Sequence, residues 1–436
     1  MASGEKKKGW LGWYFNTPLV WRILTALVTG AIVGLLVGPS ISVIAPLGSL
    51  MIRLLKMIIL PLIFFAIVMG IGSMPASKIG KVAGKILIYY FGTTLFAAIF
   101  GLILANIFKP GLGLSLTATA VKAAEGATVT SPAIGDVFLN MVPDNVAAAF
   151  AKGAYLQVLV FALFFGLAVS FLRDHKDDRI SEAVLTVYRF CEGGAEIMFR
   201  ITHAVLQFAP IGIFAIISGI FAVEGTKLIS SAASIIALCY TGYAFQLFVV
   251  YGIALTLSKL NYFQFLSRAK DATLMAFSTC SSSATLPLTI KTSEEKLGVP
   301  RSIGGFTLPL GSQINLDGEA YYQIIAVFTA AFASGIHLTF AQQMVVVFVV
   351  TVGTMGTAGI AGSGPVVLLA VMGMVGLNVE AGSMVAAVFA LVLGIDVILD
   401  MGRTAVNVTG DMVGTCIVAK SEGLLKKWGP KGTFVA

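Results

Sequence analysis

Six apolar stretches, each long enough to cross hydrocarbon as a helix, follow one another at roughly 19–38, 42–70, 82–108, 134–172, 193–222 and 228–258. About 20 apolar residues suffice for one crossing. In lipid, every backbone polar group must be satisfied internally, so such a chain can only be a helical bundle or a closed barrel. The stretches are too long for strands and lack the alternation of barrel strands, which leaves the bundle. Charged residues make up 11% of the chain and hydrophobic ones 57%, where soluble domains carry about 25% charged residues. The expected fold is an all-α polytopic membrane protein.

The formal net charge of +8 does not call for a nucleic-acid partner, because the basic residues sit in short loops. Lys6, Lys7 and Lys8 precede the first span and Arg22 lies at its start. Lys78, Lys81 and Lys85 follow the second, Arg173, Lys176 and Arg179 the fourth, and Lys259, Arg268 and Lys270 the sixth. The intervening loops are poor in positive charge, an alternation that predicts both termini in the cytoplasm. The segment Met1 to Thr17 carries Trp10, Trp13 and Tyr14 but no signal-peptide core, and reads as a cytoplasmic tail. Cys191, Cys239, Cys280 and Cys416 lack metal or redox spacing, and His175, His203 and His337 are far apart, so free thiols and no metal cluster are expected.

After the sixth span the pattern changes. A Ser-rich segment at 271–292 is followed by a span at 300–331, a Gly/Thr-rich segment at 340–376 and a charged helix at 381–418. Lys291, Lys296 and Arg301 require the first of these to enter and leave on the cytoplasmic side, and the second must return to the outside. Two half-spanning hairpins satisfy both. Their tips would be Ser278 to Pro287 and Gly353 to Pro365, where Gly, Ser and Pro break the helix and free backbone groups for a ligand. A pair of interrupted segments points to a transporter binding site. On the last helix, Asp396, Asp400, Arg403, Thr404, Asn407 and Asp411 step by three or four and share a face. Ionisable groups at membrane depth are expensive and mark a substrate or ion path.

Four motifs in order carry a resemblance: Ser281-Ser282-Ser283-Ala284-Thr285-Leu286-Pro287, Asn315-Leu316-Asp317-Gly318, Gly356-Thr357-Ala358-Gly359, and Asp400-Met401-Gly402-Arg403-Thr404 with Asn407 and Asp411. With them the chain resembles the dicarboxylate/amino acid:cation symporter family, in its prokaryotic sodium-coupled branch, over nearly its whole length. That resemblance implies eight transmembrane helices plus two re-entrant hairpins, an elevator mechanism, a homotrimer and a home in the cell inner (plasma) membrane. A scaffold would comprise 18–80 and 130–225. A transport domain would comprise 81–129 and 226–423, with hairpins near 263–292 and 340–376, between cytoplasmic tails at 1–17 and 424–436.

The resemblance also implies the cargo sites. Sodium would be held by Asp411, Asn407, Asn315 and the Gly311 carbonyl at one site. Asp317, Asn315, Tyr90, Thr93 and Thr94 would form a deeper one, and carbonyls near Gln313, Thr354, Met355 and Thr357 a third. A hard cation suits such oxygen ligands. A small amino acid or dicarboxylate would be bound by Asp400 through its amino group. Asn407, Ser282, Ile360 and Gly364 would lie at its carboxylate, and Arg403, beside Thr404, at its side chain. The chain departs from acidic-substrate relatives in three places. Cys280 and Met401 stand where those have a second arginine. Glu319 replaces a threonine near the substrate side chain and is expected to pair with Arg403, the substrate's amino group or a proton. Gln323 replaces a proton-carrying glutamate. The implied function is sodium-coupled symport of glutamate/aspartate type, not an enzyme and without an organic cofactor. The alternative is a sodium- or proton-coupled neutral amino acid symporter.

Overall fold

The computed structural model describes residues 17, 19–72, 81–112, 139, 142–224, 227–354, 364–380, 383–429 and 434–435. Among these residues the chain is helical apart from one two-stranded hairpin near its end.

Helix α1 (Leu19–Val37) stops at Gly38, whose φ of +67° is left-handed, and a 3-10 turn (Gly38–Ile44) leads into α2 (Ala45–Gly72). Helix α3 (Lys81–Phe108) follows the expected third span. The stretch 134–172, read as one span, is divided. Among its described residues, α4 (Val146–Lys152) starts where the Asn145 side chain accepts from the Ala148 amide and ends at left-handed Gly153, before α5 (Tyr155–Arg173). The fifth span is longer than its apolar core. Helix α6 (Asp178–Glu224) begins 15 residues before the expected 193. No Gly or Pro interrupts 178–192, and Ile180, Val184, Tyr188 and Cys191 recur on the covered side, so polarity there marks an amphipathic extension and not a loop. At 47 residues, a helix runs about 70 Å, more than twice the hydrocarbon core of about 30 Å.

Helix α7 (Lys227–Phe245) passes through a π turn (Gln246–Val250) into α8 (Tyr251–Leu257). The Ser-rich segment forms a helix–turn–helix. Helix α9 (Tyr262–Thr279) ends at Cys280, a non-glycine residue at φ +51°, and the Ser281 hydroxyl caps α10 (Ser282–Glu295) by accepting from the Ala284 amide at 3.2 Å. The span expected at 300–331 is likewise two helices, α11 (Arg301–Ile314) and α12 (Asp317–Ala333), with the backbone unwound at Asn315 and Leu316. Then come α13 (Phe340–Thr354), α14 (Gly364–Met374) and α15 (Met384–Ser421). Strands β1 (Lys427–Trp428) and β2 (Phe434–Val435) pair antiparallel.

Five helical segments among the described residues are long and apolar enough to cross a membrane: Trp21–Gly72, Val82–Phe108, Asp178–Gly219, Ser230–Leu257 and Met384–Ser421. Packing sorts the helices into two sets. Helices α1, α2, α5 and α6 pack on one another. Helix α12 packs on α3, α7, α13, α14 and α15, and α15 also packs on α9, α10 and α11. Helix α14 touches α2 and α5, and α15 touches α6, where the sets meet. Small residues bring the first set close, as in membrane bundles generally. A Cβ on Gly34 of α1 would collide with the Ser218 carbonyl of α6, and one on Gly212 of α6 would stand 2.5 Å from Met51 of α2.

The end of the chain clasps the base of the α9–α10 pair. Arg268 donates to the carbonyls of Lys296 and Gly429 and lies against the rings of Trp428 and Phe434, while the Trp428 indole donates to the Leu297 carbonyl.

Candidate functional site

Asp317, the first residue of α12, is fully buried because the break at Asn315 and Leu316 turns the helix end into the bundle. Four donors from three other helical elements surround its carboxylate. Thr94 and Thr93 of α3 donate to Oδ1 at 2.7 and 3.2 Å. Gln246 and Tyr251, at the two ends of the π turn, donate to Oδ2 at 2.8 and 2.7 Å. The π turn has a local purpose: its extra residue swings both side chains onto one carboxylate, as such bulges often do at functional sites.

The cage continues outward. Thr93 lies 3.4 Å from Asn315 Oδ1, and Asn315 Nδ2 donates to Asp411 Oδ1 at 2.9 Å. Gly311 abuts the same carboxylate: a Cβ there would sit 2.5 Å from both Asp411 Oδ1 and the Tyr90 hydroxyl. The predicted residues Thr93, Thr94, Asn315, Asp317, Gly311 and Asp411 thus form one connected group. Tyr90 touches both ends of this group: its carbonyl lies 3.3 Å from Thr93 Oγ1, beside Asp317, while its hydroxyl donates to the Thr307 carbonyl at 3.0 Å, on the Asp411 side. Among the described residues, no cationic side chain forms an ion pair with Asp317 or Asp411. Buried carboxylates without a counter-cation are costly, and oxygen-bearing groups so placed are chemically suited to a small hard cation.

A second group lies one turn along α12 and at mid-length of α15. Arg403 is 2% exposed and meets three carboxylates. Its Nε stands 3.0 Å from Asp400 Oδ1 and 3.1 Å from Glu319 Oε2, and its Nη1 stands 2.9 Å from Asp396 Oδ1. The guanidinium lies 4.5 Å from the centre of the Tyr322 ring. Thr404 donates to Asp400 at 2.8 Å, and Gln323 donates to Glu319 Oε1 at 3.0 Å. Of the three partners open to Glu319 from the sequence, the side chains take Arg403. One guanidinium facing three carboxylates leaves two formal negative charges uncompensated. Asn407 links the groups by accepting from the Gly318 amide at 2.8 Å. Close approach makes Gly318 necessary, since a Cβ there would sit 2.5 Å from the Arg403 backbone.

The hairpin ends border this group unequally. Gly364, the first residue of α14, is so close to the Arg403 guanidinium that any Cβ would collide with it. Ser282 is buried at the start of α10, and Gln313 reaches Ser283 at 3.4 Å, tying α11 to that hairpin. Thr354 is buried at the end of α13, its hydroxyl on the Thr351 carbonyl. Met355, Thr357 and Ile360 lie outside the described residues. Sequence reasoning did not assign Gln246, Tyr251 or Tyr322 to the site. It placed Asp396 on the charged helix face and Gln323 at a proton-carrying position without naming either as a ligand.

The sodium:dicarboxylate symporter family model matches residues 19–421. The chain belongs to that family. It is 35% identical over 414 residues to the proton/sodium-glutamate symport protein of Geobacillus stearothermophilus, covering 93% of this chain and 94% of the relative. It is 34% identical to the proton/glutamate-aspartate symporter of Escherichia coli, covering 93% of each. It is 35% identical to C4-dicarboxylate transport protein 3 of Bradyrhizobium diazoefficiens, covering 95% of this chain and 91% of the relative. The family is one of secondary transporters, not of enzymes, and the helices above make this member a multi-pass membrane protein.

Proposed function

We propose that this protein is a sodium-coupled secondary symporter of small amino acids or dicarboxylates. The observation that carries the reading is the pair of buried carboxylates, Asp317 and Asp411, which accept from hydroxyls and amide nitrogens and have no cationic side chain paired to either among the described residues. A sodium ion at each would offset the charge in a medium of low dielectric. Asp317 Oδ1, Asn315 Oδ1 and Thr93 Oγ1 cluster closely enough to serve one ion together, which suits sodium better than a proton, since a proton needs one acceptor. Relatives named for proton as well as sodium coupling keep the proton as the second reading.

The organisation proposed is eight spans and two re-entrant hairpins, α9–α10 and α13–α14, in a homotrimer at the inner (plasma) membrane with both termini cytoplasmic. Helices α1, α2, α4, α5 and α6 would be the fixed scaffold, and α3 with α7 to α15 the mobile transport domain, sliding as an elevator. The two packing sets support this division. Sodium at Asp317 and Asp411 would draw α3, α8, α11, α12 and α15 together around the break at Asn315. The α13–α14 hairpin would then close over substrate held by Asp400 and Asn407, so that empty and fully loaded carriers cross while partly loaded ones do not.

Uptake of a mixture of labelled amino acids and dicarboxylates into proteoliposomes tests this. An inward sodium gradient should drive accumulation, and a proton gradient without sodium should not. Accumulation under the proton gradient alone would replace the sodium reading with the proton one.

A further inference from the structure

We infer that Glu319 closes the side-chain end of the site to anions, so that the cargo is a zwitterionic amino acid with an uncharged, hydrogen-bond-donating side chain. The inference rests on the symport reading above and narrows its substrate class.

Arg403 is the cation among the described residues that pairs with Asp396, Asp400 and Glu319, and it is committed to all three. Its Nε is shared between Asp400 and Glu319, and its Nη1 is held by Asp396. A zwitterionic cargo leaves the local formal charge at two negative, its ammonium on Asp400 balanced by its own α-carboxylate. A side-chain carboxylate would raise it to three, inside a site where Glu319, Asp396, Asp400 and Arg403 are all nearly inaccessible to water. Like charges juxtaposed out of water are strongly disfavoured.

The vacant hydrogen-bonding capacity points the same way. Glu319 fixes the Gln323 amide by accepting from its Nε2, which leaves Gln323 Oε1 as a buried acceptor with no partner among the described residues. Beside it, Glu319 offers further lone pairs. The Tyr322 hydroxyl is also buried without a partner there and can act in either sense. A hydroxyl or primary amide can donate to Gln323 Oε1 and Glu319. A carboxylate would meet them acceptor to acceptor. A cationic side chain would satisfy the acceptors but would have to sit beside the Arg403 guanidinium.

The test is sodium-driven uptake into proteoliposomes holding the full chain, comparing labelled serine, asparagine and glutamine with aspartate, glutamate, succinate and lysine. Serine or an amide amino acid should enter faster than aspartate by roughly tenfold or more, the low end of the effect of a misplaced charge. Glu319→Thr should reverse that ratio. Glu319→Gln, which keeps the side-chain shape, should move it in the same direction and serves if the threonine variant does not fold. Sodium-driven preference of the wild type for aspartate, glutamate, succinate or lysine would overturn the inference and leave the symport reading standing. An unchanged ratio in both variants would also overturn it. If no compound enters with sodium, the symport reading itself fails and the inference falls with it.

Discussion

Asp411→Asn separates the ion-binding account from a merely structural one. The carboxylate is 2% exposed, and its recorded hydrogen bond comes from Asn315 Nδ2 at 2.9 Å. Asparagine keeps the shape and an acceptor oxygen but removes the charge. A unit charge about 4 Å from sodium at an effective dielectric of about 20 contributes about 4 kcal/mol. The amide dipole recovers part of this, so the site should lose about 2–4 kcal/mol, or roughly 30- to 1,000-fold in sodium affinity. At a sodium concentration near 100 times the wild-type Kd, the site stabilises the fold by about 2.7 kcal/mol, and a 30-fold weaker site leaves only about 0.9 kcal/mol. The sign without sodium is opposite. Removing an uncompensated buried charge should leave the sodium-free melting temperature unchanged or raise it. The assay is thermal unfolding of the purified full chain across a sodium titration, with choline holding ionic strength constant. A sodium midpoint identical to wild type, or a lower sodium-free melting temperature with the sodium gain intact, would refute the reasoning.

Tyr251→Phe removes one of the four donors to Asp317 and should destabilise the sodium-free protein by about 1.5–3 kcal/mol, the worth of a hydrogen bond to a charged group. An unchanged denaturation midpoint would contradict it. Gly364→Ala places a methyl group against the Arg403 guanidinium, so uptake should be abolished in protein that still melts cooperatively. Transport at the wild-type rate would remove Gly364 from the site. Arg268→Ala deletes two hydrogen bonds from a charged donor to the Lys296 and Gly429 carbonyls. The β1–β2 hairpin should open at least about tenfold more often, seen as faster trypsin cleavage near Lys426 and Lys427. Equal cleavage rates would show that the rings of Trp428 and Phe434 do not need it.

What the sequence made legible follows from physical contrast. Asp317, Asn315, Asp411 and Arg403 stood out because polar groups in apolar runs need a reason. Gln246 and Tyr251 gave no such signal. Each is an isolated residue in an ordinary span, and the π turn that aims both at Asp317 leaves no composition mark. Asp396 was visible on the charged face, but its pairing with Arg403 depends on a side-chain direction that spacing alone does not fix. In the fold, hydropathy located the long apolar helices. It set the fifth span's start too late, because the exposed turns of α6 look like loop, and it missed the break at Asn315 inside an apolar run. The same break turns Asp317 into the bundle.

The central claim is coupling, and coupling is reciprocal. The most direct measurement is therefore entry of radioactive sodium into proteoliposomes that have no sodium gradient, driven by an inward gradient of the best-transported amino acid. The account predicts sodium entry above the no-substrate control, lost in Asp411→Asn. Substrate entry unaccompanied by sodium would contradict it.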